Sequence, residues 1–404
     1  MIENANSFAD GALSGIRVLD LTRVLAGPFC TMMMADLGAE VIKIEIPGKG
    51  DDTREYPPFK NGESAYFMNL NRNKKGIELN LKHPQGKEIF IDLLKKSDVV
   101  IENFKPGTME RLNLGYEDLK KVNKKIVYGC ISGFGHYGHY KDRPGYDLIG
   151  QAMGGMMSVT GWPDSPPTRT GTAISDILAG LSCCIGILSA LRARDISGEG
   201  QKVDIALVDS VVAAMENINQ LYIVENKIPQ RIGNRYEFFY PYDSFKSSDG
   251  WFVFAVGNQE MWKRFCQTIE DKELCEDERF CTMNKRVENH KTLKEEIEKW
   301  TKSRKTKDIV ELFLSNNIPS APIYSVDQVV NDKHIAEDRG MFVEVVHPIA
   351  GITKVTGSHL KLYKNKPTIR QAAPTLGQHT KEVLTEILGF SEEKIKDLKE
   401  NKII

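Results

Sequence analysis

Two short apolar runs, Ile16-Arg-Val-Leu-Asp-Leu21 and Glu40-Val-Ile-Lys-Ile44, flank a stretch long enough for one helix, and this pattern restricts the fold most. Parallel strands need a crossover connection, usually a helix, so a β-α-β unit with a parallel pair is expected. Pro28 suits the first turn of that helix, where its missing N–H would have no partner, and Gly38 ends it. The alternation continues. Helices over about 84–96, 116–123 and 177–194 lead to strands at 99–101, 126–131 and 203–206. This is an α/β layout.

From about residue 225 the texture changes. Aromatic-rich Tyr236-Glu-Phe-Phe-Tyr-Pro-Tyr242 precedes a strand at 251–256 and charged helical segments over 285–302 and 307–316. A second, smaller domain of about a hundred residues is expected there. Amphipathic helices follow at 380–388 and 391–401.

The net charge of -1 provides no global field for nucleic acid or an anionic membrane, so neither partner is expected. The apolar stretch 177–191, bounded by Asp176 and Arg192, is shorter than the roughly 20 residues a bilayer requires and reads as a buried helix. The opening Met1-Ile-Glu-Asn-Ala-Asn-Ser7 lacks the basic-then-apolar layout of a signal peptide. Seven scattered cysteines form no CxxC pair, which points to a reducing compartment, the cytoplasm, and to no structural zinc.

No GxGxxG follows the first strand and no P-loop lysine is present, so nucleotide-cofactor fingerprints are absent. His136 and His139 share a glycine-rich loop without a nearby third ligand and read as solvent-exposed, with no metal. Asn71-Arg-Asn-Lys-Lys75, with Lys82, is either a solvated surface or a phosphate-facing segment. Asp176 precedes the long apolar helix, where an aspartate caps exposed N–H groups. The same place suits a nucleophile that the helix dipole keeps ionised. Spacing leaves both readings open.

Several segments recur in a recognisable order: Val18-Leu-Asp-Leu-Thr-Arg-Val-Leu-Ala-Gly-Pro28, Leu37-Gly-Ala-Glu-Val-Ile-Lys-Ile-Glu45, Asn71-Arg-Asn-Lys-Lys75, Val100-Ile-Glu-Asn-Phe-Lys-Pro-Gly107, Pro144-Gly-Tyr-Asp147 and Gly198-Glu-Gly-Gln-Lys-Val-Asp204. With Gly233-Asn-Arg235, Pro241-Tyr-Asp243 and Pro374-Thr-Leu-Gly-Gln-His379, this set resembles the class III (formyl-CoA/carnitine type, CaiB/BaiF) CoA-transferase family over nearly the whole chain. The resemblance implies a doubly wound large domain formed from both chain ends, 1–224 and 326–404, and a smaller α+β domain at 225–325. It also implies an interlocked homodimer.

Residue by residue, the resemblance makes Asp176, in Gly171-Thr-Ala-Ile-Ser-Asp176, the nucleophile. It sets Leu25, Ala26 and Tyr146 beside the reacting acyl group, and Leu79, Lys82, Asn103, Phe104 and Arg111 along a channel for coenzyme A. The implied activity moves CoA from an acyl-CoA to a carboxylic acid through aspartyl-anhydride and aspartyl-CoA thioester intermediates. CoA is a cosubstrate, and no tightly bound cofactor or metal is implied.

Two alternatives share this fold. An α-methylacyl-CoA racemase of the family carries histidine where this chain has Tyr146, and an unperturbed tyrosine is a poor base at neutral pH. A non-catalytic acyl-CoA-binding partner subunit would not need Asp176. The aromatic segment near 236–242, in place of a glycine cluster, suggests an acid larger than oxalate or formate.

Overall fold

The computed structural model describes residues 11–404; the opening segment examined for a signal peptide lies outside them. The chain divides into two units. The first comprises the described residues up to Met156 with Thr170–Gln220 and Lys333–Ile404, and the second comprises Met157–Arg169 and Leu221–Asp332. No sequence pattern had set residues 157–169 apart from their neighbours.

The first unit contains a six-stranded sheet: β1 (Arg17–Asp20), β2 (Glu40–Glu45), β3 (Lys74–Glu78), β4 (Val99–Glu102), β5 (Val127–Ser132) and β6 (Lys202–Ala206). The order is β3-β2-β1-β4-β5-β6, and every pair is parallel. The order reverses between β1 and β4. At such a point the loops leaving neighbouring strands diverge and open a crevice at the carboxyl ends.

Both faces of the sheet are covered, as apolar strands without polar alternation require. Val18, Val41, Val99, Ile101 and Val127 pack on one side with α1 (Ala26–Asp36) and α5 (Ile174–Ser197). Leu19, Ile42, Val100 and Tyr128 point to the other side, against α2 (Pro84–Leu94), α3 (Tyr116–Val122), α7 (Thr380–Leu388) and α8 (Glu392–Glu400). Successive strand residues thus serve opposite cores, and both ends of the described chain contribute to one of them. Two shorter helices, α4 (Asp147–Met153) and α6 (Leu207–Ala214), complete the surroundings of α5.

Helix α5 runs for 24 residues, longer than its apolar stretch alone implied, and by length and composition could cross a membrane. One face of it packs inward: Ala179, Cys183, Cys184, Ile187, Ala190 and Leu191 are buried against the sheet core.

The basic segment at 71–75 is neither solvated nor phosphate-facing. Its lysines enter the sheet as β3, and Arg72 and Lys74 are buried. Arg72 pairs with Asp36 at 2.7 Å and Lys74 with Asp20 at 3.1 Å, while Lys75 bridges Glu40 and Glu382. A buried cation persists only with such a partner, so these charges serve the fold.

The second unit has a three-stranded antiparallel sheet of Tyr242–Lys246, Trp251–Ala255 and Ser320–Pro322. Phe245, Phe252, Phe254, Trp262, Phe265 and Phe313 fill its core. The charged stretch 285–302 is two helices, Met283–Glu288 and His290–Thr301, meeting at Asn289. In the aromatic run, Tyr236, Phe239 and Tyr242 pack on one another with ring centroids 4.8 to 5.5 Å apart.

Candidate active site

Strand β1 ends at Asp20, a fully buried carboxylate that organises the loop beyond it. Its Oδ1 accepts the N–H and hydroxyl of Thr22, at 2.9 and 2.5 Å, and its Oδ2 accepts the Thr31 hydroxyl at 2.7 Å and the Lys74 ammonium. Lys43, from β2, donates to the Thr22 carbonyl at 2.8 Å and to Asp51 at 2.9 Å. Asp51 accepts the N–H of Val24 at 3.2 Å. From the loop after β4, the Asn103 amide accepts the Arg23 N–H at 2.8 Å and donates to the Arg23 carbonyl at 2.7 Å.

Three strands therefore hold the peptides of Thr22, Arg23 and Val24. The grip has a cost to offset, because Val24 sits at φ 67, a region that sterically penalises a β-branched residue. Beyond it Leu25 and Ala26 enter α1. Leu25 offers no side-chain cap, so the first N–H groups of α1 keep the unpartnered character of a helix start.

Asp176 lies on α5, but it is not the cap. The helix begins at Ile174 with Ala173 as its N-cap, which places Asp176 inside the first turn. The capping comes from elsewhere. Asp147, at the start of α4, accepts the Ser175 N–H and hydroxyl through Oδ1, both at 2.9 Å, and the Gln151 amide through Oδ2 at 2.8 Å. This leaves the Asp176 carboxyl available.

Nor is Asp176 held ionised in the manner expected of a helix start. Burial, and then the nearby Asp147 charge, push its pKa up to about 7. The burial follows from close helix packing: a side chain at Gly180, one turn beyond Asp176, would meet the Ala26 carbonyl at 2.6 Å. Only glycine permits that approach. A second glycine crossing, Gly133 against Gly145, brings the Pro144-Gly-Tyr146 loop to the end of β5.

A cavity of about 290 Å³ unites Leu25, Ala26, Asn103, Phe104, Tyr146 and Asp176, with the cations Arg23, Lys105 and Arg143 in its wall. A larger one, about 660 Å³, is lined by Leu79, Lys82 and Phe104. Arg23 and Phe104 belong to both walls, the guanidinium 5.5 Å from the ring centroid. Of the nine residues singled out from the sequence, eight thus line one or both of two cavities that share a wall. Arg111 lines neither; it is exposed and donates to the hydroxyl of Thr108, itself part of the larger wall. Asn103 lines the smaller cavity, yet its amide is committed to the Arg23 backbone.

Sequence reasoning missed Arg23, Asp147 and Tyr66. The Tyr66 hydroxyl is pushed up to about 12 by burial and next by the charge of Asp176. Asp147 had a signal, since it stands in the quoted Pro144-Gly-Tyr-Asp147 segment; Tyr66 had none.

His136 also differs from expectation. His139 is exposed, but the His136 side chain is only 7% exposed. The His136 backbone N–H donates to Asp204 at 2.9 Å, the ring Nδ1 meets Lys202 Nζ at 3.1 Å, and the ring Nε2, without a hydrogen-bond partner, points toward Glu102 at 3.7 Å. Glu102, Cys130 and His136 converge to within 4.8 Å. An ammonium only donates, so Lys202 makes Nδ1 the acceptor and leaves the proton on Nε2. The ring therefore directs an N–H rather than a lone pair toward Glu102.

The chain is similar to known proteins in sequence and in fold. Residues 13–380 match CoA-transferase family III. The chain is 39% identical over 386 residues to a succinyl-CoA:mesaconate CoA-transferase of Haloarcula marismortui, covering 93% of this chain and 96% of that one. It is 38% identical over 380 residues to an acetyl-CoA:oxalate CoA-transferase of Acetobacter aceti, covering 94% and 96%. Among solved structures, a CaiB/BaiF family protein from Brucella suis superposes with a TM-score of 0.84 at 36% identity, covering 94% of this chain and 100% of that one.

Proposed function

The chain belongs to CoA-transferase family III and is a class III CoA-transferase, and from that premise we propose that it transfers CoA between dicarboxylic acids by covalent catalysis on Asp176. The single observation that carries this reading is the setting of Asp176: a carboxylate raised to about 7, in a cavity with Tyr146, Leu25 and Ala26. A poorly hydrated carboxylate is basic and, once ionised, strongly nucleophilic.

The Asp176 oxygen attacks the thioester carbonyl of the donor, forming a mixed anhydride and expelling the CoA thiolate. The thiolate attacks the aspartyl carbonyl, releasing the donor acid and leaving an aspartyl-CoA thioester. The acceptor carboxylate attacks that thioester, forming a second anhydride and freeing the thiolate again. Attack of the thiolate on the new acyl carbonyl yields the product and regenerates Asp176. Each step exchanges one acyl bond for another. The N–H groups at the start of α1 are the candidate donors to the oxyanions.

Two features support dicarboxylic acids. The acids in the relatives' names, mesaconate and oxalate, are both dicarboxylic, while the donors named are succinyl-CoA and acetyl-CoA. Arg23, Lys105 and Arg143 line the Asp176 cavity and suit a second carboxylate or the phosphates of CoA. The racemase and partner-subunit alternatives are not favoured.

The wider expectations join the proposal: a large domain from both chain ends with a smaller domain between, an interlocked homodimer, and a cytoplasmic setting. Exposed Ile185 and Ile196 on α5 and Val212 on α6 support a partner surface. Seven free cysteines fit a reducing compartment.

The test is transfer from succinyl-CoA to a panel of acids, with mass detection of each acyl-CoA, for the wild type and Asp176→Ala. The expected result is transfer to dicarboxylic acids by the wild type, hydroxylamine trapping at Asp176, and no transfer by a variant that still binds CoA. Undiminished transfer by Asp176→Ala would overturn the mechanism.

A further inference from the structure

The larger cavity is lined on much of its wall by aliphatic side chains, among them Leu21, Ile44, Ile46 and Leu81, yet Lys82, Lys399 and Lys402 also stand in that wall. Its carboxylates are engaged elsewhere. Glu45 pairs with Arg54 at 2.8 Å, Asp51 with Lys43 at 2.9 Å, and Glu78 accepts the Gly48 N–H at 2.6 Å. Among the described residues the three lysines have no such partner.

The two distal lysines are held in place by backbone. After α8 the chain turns through Lys402, at φ 55, with the Lys402 N–H donating to the Lys399 carbonyl and the Ile403 N–H to the Leu398 carbonyl. Ile403 and Ile404 are buried, and Ile404 itself lines the cavity. The Ile403 carbonyl accepts the N–H of Asn80 at 2.8 Å, which ties this turn to the loop that carries Lys82. Free cations gathered on an aliphatic wall repel one another unless an anion joins them.

We propose that Lys399 and Lys402 bind the ribose 3′-phosphate of the CoA ester, so that α8 and the turn after it set the preference for CoA over dephospho-CoA. The proposal rests on the CoA-transferase reading above. The thioester must reach Asp176 in the smaller cavity, and Arg23 and Phe104, common to both walls, mark where the pantetheine arm crosses. The diphosphate lies on the pantetheine side of the adenosine, so it meets Arg23 first. Lys399 and Lys402 line only the larger cavity of these two and face the far end of the nucleotide.

The experiment measures Kd for CoA and for dephospho-CoA by calorimetry on the full chain, wild type against Lys399→Gln with Lys402→Asn. Both positions are exposed, and asparagine tolerates the left-handed backbone at 402. The expected result is weaker CoA binding in the variant, by about tenfold for each lysine that makes a charge-assisted bond, with dephospho-CoA unaffected. Equal weakening of both ligands, or of neither, would overturn the assignment. Binding is read without turnover, so a wild type that distinguishes the two nucleotides but transfers no acyl group would refute the transferase reading and leave this one standing.

Discussion

Asp147 caps the helix that carries Asp176. Its Oδ1 accepts the Ser175 N–H at 2.9 Å, and its charge, after burial, is the second cause that lifts the Asp176 carboxyl to about 7. One side chain thus orients the proposed nucleophile and raises its basicity.

Asp147→Asn keeps an oxygen to accept the Ser175 N–H but removes the charge. With the repulsion gone, the Asp176 pKa falls toward the ordinary carboxylate range. Activity requires the ionised form, so the wild-type acid limb of kcat/KM lies near pH 7 and the variant's lies lower. A pH–rate profile of both proteins checks this; an unmoved limb would separate Asp147 from the titration.

The same shift makes stability depend on pH. In the folded chain Asp176 holds its proton up to about 7, against 3.8 in the unfolded chain, so between those values the folded state binds more protons. Stability therefore falls as pH rises through this window, by roughly 4 kcal/mol at most. Asp176→Asn removes that loss. Urea titrations from pH 4 to 8 should show the variant gaining on the wild type as pH rises.

Asn103 acts through Arg23. Its two hydrogen bonds hold the Arg23 peptide next to the strained Val24. Asn103→Ala should lower kcat/KM by about tenfold or more through a displaced Leu25–Ala26 turn, with a stability loss of about 2 kcal/mol. Asn103→Asp should not restore activity, because a carboxylate cannot donate to the Arg23 carbonyl. Steady-state kinetics beside thermal melts separate the two effects.

Lys74→Met leaves Asp20 buried with one cation fewer while its other partners remain. Removing one member of a buried pair costs about 3–5 kcal/mol, a large part of a domain's stability. Chemical denaturation measures it, and a loss below about 1 kcal/mol would show that Lys43 alone suffices as counter-charge.

Where elements announce themselves by period and punctuation, the sequence was legible. The strands near 17–20, 40–45 and 127–132 and the helices between them stand close to where apolar spacing, Pro28 and Gly38 put them. Strand β3 was missed because Asn71-Arg-Asn-Lys-Lys75 looks like surface until Asp20 and Asp36 are seen beside it. His136 was misjudged similarly, since nothing local shows that β4, β5 and β6 surround it.

Asp176 marks the division. By itself the sequence determined that a carboxylate stands at the start of a long apolar helix, and the ordered segments around it identified the family, because period, caps and motifs are local properties of a chain. Only the tertiary structure decided that Ala173 is the N-cap, that Asp147 provides the capping acceptor, and that the carboxyl is raised to about 7. Capping partners, burial and charge proximity depend on residues brought together through space, and Asp147 reaches Ser175 only because α4 packs against α5.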